Sequence, residues 1–284
     1  MSIPNRKVRG ISVPSIFYGT AWKEDRTAAL TARALAAGFR AIDTANQRKH
    51  YVESSVGDAI YAARQQTGGL RRAELFLQSK FTHPREQDHR LPYEASAPTT
   101  EQVAQSFQST LKHLHTDYLD SYLLHSPISG AGLAEADWDA WKAIIALQKA
   151  GRVRMIGISN VSLAQLELLL KSGLEKPAFI QNRCFARLGW DRDIREYCRA
   201  NDILYQGYGL LTANSREIVR PQISRILLRT GATPAQLVYR YAMQIGIIPL
   251  TGTSDSIHMS EDLDCMKITL TADDFAAVDR VGAE

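Results

Sequence analysis

Short apolar runs and longer amphipathic stretches alternate along almost the whole chain. The runs at 15–20, 38–42, 75–79, 119–124, 155–158, 178–180, 203–208 and 246–250 have strand length and read as buried strands. Between them, apolar positions recur at helical spacing over 25–37, 54–66, 101–114, 136–150, 191–200, 221–229, 235–244, 258–265 and 272–282, and a further helix is expected to start at Ser159-Asn160. Gly38 stops the first helix just beyond its last turn, and Thr99-Thr100 are expected to cap the third. Regular alternation of the two patterns predicts βαβ units on a parallel sheet. Eight strands after a small hairpin at 7–14 fit a (β/α)8 TIM barrel with the hairpin plugging its bottom, and 284 residues suffice for a single such domain over 1–284. A doubly wound sheet fits less well. It has fewer strands and needs a glycine-rich first turn, and G-x-G-x-x-G occurs nowhere in the chain.

Three successive strands close on titratable side chains. The run 38–42 ends at Asp43 and is followed at once by His50 and Tyr51; 75–79 runs into Lys80; 119–124 runs into His125. A barrel presents its chemistry on the loops at the C-terminal ends of its strands. Taken singly, each residue has a bland reading: an aspartate as a cap, a lysine in solvent, a histidine filling a loop. Their repetition at strand ends points to one shared site. An ammonium favours a phenolate nearby and lowers the tyrosine's pKa, so Tyr51 beside Lys80 can give a proton near neutral pH. An imidazole next to it can hold a carbonyl oxygen. Asp43, Tyr51, Lys80 and His125 together suit protonation of the oxyanion that develops when hydride attacks a carbonyl.

Composition narrows the class. Hydrophobic residues make up 45% and charged residues 23%, the range of a globular chain with a core. A net charge of +4 without a basic run argues against nucleic acid, and Arg71, Arg72, Arg152 and Arg154 read as solvated charges. Cys184, Cys198 and Cys265 lack metal-ligand spacing, as do His83 and His89, so neither a metal nor a disulfide framework is expected. Residues 1–7 lack the apolar segment of a signal peptide, and no apolar stretch is long enough for a membrane span. The expectation is a cytoplasmic protein, monomeric by default, without membrane or nucleic-acid partners.

The order of motifs resembles the aldo-keto reductases from about Gly19 to Asp262. The segments that carry it are 19–22 (GTAW), 38–45 (GFRAIDTA), 53–60 (ESSVGDAI), 78–80 (QSK), 118–125 (YLDSYLLH), 151–160 (GRVRMIGISN) and 181–182 (QN). The resemblance implies a (β/α)8 barrel that reduces small-molecule carbonyl substrates with a nicotinamide cofactor. It matches Asp43, Lys80 and His125 to the family's acid, lysine and histidine. The family's tyrosine usually lies five residues after the acid and seven before the Val-Gly glycine. Here those positions are Arg48 and His50, so Tyr51 requires an inserted stretch and His50 is the rival proton donor.

By the same resemblance, Ser159, Asn160 and Gln181 would hold the nicotinamide carboxamide, and Thr20 and Asp43 would lie beside the cofactor. Tyr208 would stack on the nicotinamide ring, and Leu210, Thr212 and Asn214 would receive the pyrophosphate. Thr251, Gly252, Thr253 and Ser254 would offer hydroxyls and amides to an anion, with a helix start behind them, and His258, Glu261 and Asp262 sit where family members hold the adenosine. Leu250 stands where NADP-preferring members often carry lysine, and His258 where an arginine is expected. NADP (as NADPH) is favoured and NAD admissible. Trp22, Phe81 and Trp190, on loops after strands 1, 3 and 6, are expected to wall the substrate pocket with His50 and His125. The short stretch after the last strand leads us to expect an open pocket of broad specificity. Two other readings compete: a cofactor-binding sensor or subunit with little turnover, and an aldolase-type barrel with Lys80 as a Schiff-base nucleophile.

Overall fold

The computed structural model describes residues 6–282. Two short strands, β1 (Arg6–Val8) and β2 (Ile11–Val13), pair as an antiparallel hairpin with Lys7 opposite Ser12. The remaining strands are β3 (Phe17–Gly19), β4 (Ala41–Asp43), β5 (Phe76–Phe81), β6 (Leu119–Leu124), β7 (Val153–Ser159), β8 (Phe179–Arg183), β9 (Leu204–Tyr208) and β10 (Ile247–Thr251). They close into a barrel in the order β10-β3-β4-β5-β6-β7-β8-β9. The α-helices are α1 (Thr27–Ala37), α2 (Glu53–Gln65), α3 (Thr99–His113), α4 (Glu135–Lys149), α5 (Leu163–Lys171), α6 (Arg192–Ala200), α7 (Pro221–Thr230), α8 (Pro234–Gln244), α9 (Ser256–Asp264) and α10 (Ala272–Arg280). The (β/α)8 barrel with an N-terminal hairpin, expected from the alternation of patterns, is the observed fold.

Contacts group the chain into two units, Tyr18–Ile180 and Met1–Phe17 with Gln181–Glu284. In the first, β4, β5 and β6 are buried along their whole length, as parallel strands covered on both faces must be. The register sets Asp43 opposite Gln78 and Lys80 opposite Leu123. Side chains alternate along β5: Gln78 and Lys80 turn to Asp43, while Ser79 turns away to Glu53 on α2. Gly38 closes α1 at φ 117°, a left-handed conformation in which its N–H reaches the carbonyls of Ala34 and Leu35. Gly57 has a different reason to be glycine. A Cβ there would lie 1.7 Å from the His113 carbonyl oxygen, so only glycine lets α2 approach the end of α3.

Three local expectations need correction. Thr99 and Thr100 lie inside the first turn of α3, behind Pro98, and make no side-chain cap. The helix expected at Ser159-Asn160 begins later, because β7 runs on through Ser159 and the chain turns before Ser162 caps α5. Arg72 is not a solvated charge. It pairs at 2.8 Å with Asp120, fully buried at the start of β6, and stacks on Tyr118, while Arg154 meets the other Asp120 oxygen at 2.9 Å. A buried carboxylate needs such partners, and Asp120 also accepts from the Leu77 N–H at 3.0 Å.

In the second unit, β9 and β10 pair with Gln206 opposite Ile248. α8 starts on a capping box: Thr233 accepts from the Gln236 N–H, the Gln236 side chain returns the bond, and Pro234 occupies the first turn.

Candidate active site

Asp43 is the last residue of β4, and Lys80 lies on the neighbouring strand. The Lys80 ammonium donates to both Asp43 oxygens, at 2.8 and 2.7 Å, and to the Thr44 carbonyl at 2.9 Å. Three acceptors match the three protons of an ammonium; a neutral amine would turn a lone pair to one of them. Burial pulls the Lys80 pKa below the ordinary lysine value, and the Asp43 carboxylate opposes that pull. Asp43 also accepts from Gln78 Nε2 at 2.7 Å. The Asp43 carbonyl takes both the N–H and the hydroxyl of Thr20, at 3.0 and 2.9 Å. Thr20, expected beside the cofactor, is fully buried and holds the end of β4.

Tyr51 comes to this pair. Lys80 Nζ lies 5.4 Å from the centre of the Tyr51 ring, and the His125 ring meets the same ring edge-on at 5.9 Å. His125 is held by its backbone, its N–H on the Phe81 carbonyl at 2.8 Å and its carbonyl taking the Asn160 side chain at 2.9 Å. Its Nδ1 is 2.7 Å from the Thr82 hydroxyl. Burial, then the Lys80 and His50 charges, keep its pKa well below the ordinary histidine value, so the imidazole is neutral at neutral pH. A Thr82 hydroxyl that donates to Nδ1 leaves the ring proton on Nε2.

His50 faces a different neighbour. Its ring stacks on Trp22 at 3.8 Å, and its carbonyl accepts from the Trp22 N–H at 2.8 Å. Trp22 sits in the left-handed region at φ 61° with its side chain 67% exposed. Burial and the Lys49 charge lower the His50 pKa. Asp43, Tyr51, Lys80, His125, His50 and Trp22 therefore gather within Tyr18–Ile180. Phe81 does not join them in the manner expected. It is a strand residue, not a loop residue; next after Lys80 in the alternation, it is fully buried against His83 and Tyr93. Gln78 was missed, although it precedes Lys80 by one strand period and so shares its face. No pattern in the sequence pointed to Thr82.

In the other unit, the expected cofactor residues divide into two kinds. Tyr208 ends β9, half-buried, before Gly209 at φ 67°, and Thr212 is exposed. Gln181 is buried and donates to the Gln206 side chain at 3.0 Å. Leu210 is buried in the loop after β9. Asn214 is committed inside that loop: its Oδ1 accepts from the Ala186 N–H at 2.7 Å, and its Nδ2 donates to the Cys184 and Leu210 carbonyls. It shapes the loop and has no amide proton or oxygen left pointing outward. Trp190, expected as a pocket wall, is fully buried; its indole N–H donates to the Val278 carbonyl at 3.1 Å and its ring packs on Tyr241.

Beyond β10, Gly252, Ser254 and His258 are exposed and Thr253 and Glu261 half-buried. Thr251 is turned inward and donates to Asp262 at 2.6 Å, both being buried. Asp255 caps α9, accepting from the N–H groups of Ile257 and His258 at 2.7 and 3.2 Å. Burial raises the Asp262 pKa to about 6, against the bond from Thr251. The folded state then holds a proton that the unfolded chain releases near pH 4. The stabilisation is full below that pH and is lost as pH rises through about 6, a change of about 3 kcal/mol from a shift of roughly two units. Urea midpoints of wild type and Asp262→Asn between pH 4 and 7 check this: wild type should lose stability relative to the variant as pH rises.

Within Tyr18–Ile180 the fold thus brings together a buried lysine–aspartate pair, a tyrosine and a neutral histidine. The chain belongs to the Aldo/keto reductase family, which it matches over residues 16–283. It is 28% identical to "Aldo-keto reductase family 1 member C18" of Rattus norvegicus, over 96% of this chain and 89% of the rat protein. It is also 28% identical to "Uncharacterized oxidoreductase YtbE" of Bacillus subtilis (strain 168), over 95% and 89%. Among solved structures, an aldo/keto reductase from Brucella melitensis aligns with a TM-score of 0.84 and 27% identity, covering 99% of this chain and 98% of that one. Membership makes the chain an NAD(P)H-dependent oxidoreductase acting on small carbonyl compounds. Among the described residues, no helix is long and apolar enough to cross a membrane, and no cluster of histidine, cysteine and acidic side chains could hold a metal.

Proposed function

We propose that this chain, acting as one barrel domain, reduces an aldehyde or ketone to the alcohol with NADPH, and that Tyr51 donates the proton. The observation that carries this reading is the buried Lys80 ammonium 5.4 Å from the Tyr51 ring centre. The ammonium favours the phenolate that remains after the proton has left. Asp43 and Thr44 fix the ammonium in place. His125, neutral and bonded at Nδ1, would donate its Nε2 proton to the substrate carbonyl oxygen and orient it toward Tyr51. The stacked Trp22 and His50 would wall the pocket. The cofactor, when bound, supplies the hydride.

The donor set fits that cofactor. Ser159, which ends β7, and Asn160 after it would meet the nicotinamide amide; in the other unit Gln181, midway along β8 with its Nε2 on Gln206, would do so through its oxygen, and the half-buried Tyr208 would take the ring. Thr212, Thr253, Ser254 and His258 would meet the phosphates and the adenosine side. NADPH is the favoured form, but its margin over NADH should be small, because Asp255 places a carboxylate on the first N–H groups of α9, where a phosphate would otherwise be drawn. Asp255→Asn keeps a good cap and removes the charge. It is expected to tighten NADPH about two- to fivefold relative to NADH, the scale of one exposed charge at a helix end. Titration of tryptophan fluorescence with each cofactor measures it.

The reading as a whole is tested by oxidation of NADPH and NADH across a panel of aldehydes and ketones. Cofactor binding without turnover of any carbonyl would overturn it in favour of a sensor.

A further inference from the structure

The route from Asp43 to Tyr51 passes through Asn46, Gln47, Arg48, Lys49 and His50, and a second loop clamps it. Gln87 Nε2 donates to the Asn46 carbonyl at 2.8 Å, and Gln47 Nε2 donates to the Glu86 carbonyl at 2.9 Å. Arg90 reaches the Arg48 carbonyl at 3.0 Å. Asn46 is pinned on its other side, its side chain to the Ser106 carbonyl and its N–H to Lys80. The Gln47 carbonyl then accepts from the N–H groups of both His50 and Tyr51, at 3.2 and 3.0 Å, and this turn delivers the tyrosine. The clamping loop begins at Thr82, whose hydroxyl meets His125 and whose carbonyl accepts from the Tyr93 hydroxyl at 2.7 Å. One loop therefore touches both the carrier of Tyr51 and His125.

Packing alone does not explain the two glutamines. Both are buried, and the amide of each is spent on a backbone carbonyl of the other loop. What glutamine adds is a directed N–H on one particular backbone carbonyl. Each bond joins the Tyr51 loop to the 83–90 loop, and they run in opposite directions, one donated from each side.

We propose that Gln47 and Gln87 are positioning residues for the reduction: they hold the long Asp43–Tyr51 connection so that the phenol stands over Lys80 and beside His125. This rests on Tyr51 being the proton donor. A displacement of about 1 Å in a reacting group can cost about a hundredfold in rate, which sets the scale expected.

Gln87→Met and Gln47→Met keep the length of the side chain and remove the donor. Each is expected to lower kcat ten- to a hundredfold, with the NADPH dissociation constant from fluorescence titration within twofold of wild type, while the backbone carbonyl left without its donor lowers the melting temperature. A merely structural role would lower kcat by the same factor whether or not the Tyr51 hydroxyl is present. The same substitutions are then made in the Tyr51→Phe background, where the cycle reports coupling. If the glutamines act through Tyr51, they change the residual rate less than twofold there. Wild-type kcat in both single variants, or an equal fold-loss in both backgrounds, overturns the proposal. Full activity of Tyr51→Phe itself instead overturns the assignment of the proton donor on which the proposal stands.

Discussion

Tyr51→Phe is expected to lower kcat for carbonyl reduction by about 10²- to 10⁴-fold, the range that a positioned general acid contributes, while the affinity for NADPH stays within about twofold. The ring still fills its place against His125, so the loss isolates the hydroxyl. The rival donor is His50, one residue earlier. Its ring lies on Trp22, whereas the buried ammonium stands by the Tyr51 ring. His50→Ala should therefore act mainly on KM for the carbonyl, by removing the support of the exposed Trp22, with kcat reduced less than about tenfold. Stopped-flow or steady-state oxidation of NADPH with both variants on one aldehyde decides between them. A Tyr51→Phe enzyme at full rate beside a dead His50→Ala would transfer the role to the imidazole.

The barrel was legible because burial on both faces forces each parallel strand into a continuous apolar run, and such runs stand out between amphipathic helices. The same runs exposed Asp43, Lys80 and His125, since a charged residue closing an apolar strand is conspicuous. Parity along a strand held more than was taken from it. With Lys80 turned to Asp43, Gln78 must share its face and Phe81 must leave it, as both do. Other roles were illegible for a different reason: they depend on partners far along the chain. Thr20 answers to the carbonyl of Asp43, Asn214 to Cys184 and Ala186, and Arg72 to Asp120. A hydroxyl, an amide or a guanidinium looks available in a sequence until the fold shows what it is already bonded to. Thr251 makes the same point, because its hydroxyl is spent on Asp262.

Lys80→Met is expected to damage stability and rate together, and the two effects can be separated. The Lys80–Asp43 pair is almost wholly shielded from solvent, with 2.7 Å between nitrogen and oxygen. Removing one partner of a buried pair leaves the other charge uncompensated and costs roughly 3–5 kcal/mol. Asp43 would retain only the Gln78 amide among these donors, which does not replace an ammonium. The urea midpoint should fall accordingly, with the slope of the transition unchanged. Adding Asp43→Asn removes the stranded charge, so the double variant should regain a large part of the lost stability. It should regain none of the lost rate, because the phenol would still lack a cation beside it. If Lys80→Met unfolds at the wild-type midpoint, the pair contributes no net stability. If the double variant recovers activity as well as stability, Lys80 served the fold alone, and Tyr51 needs no ammonium to give its proton.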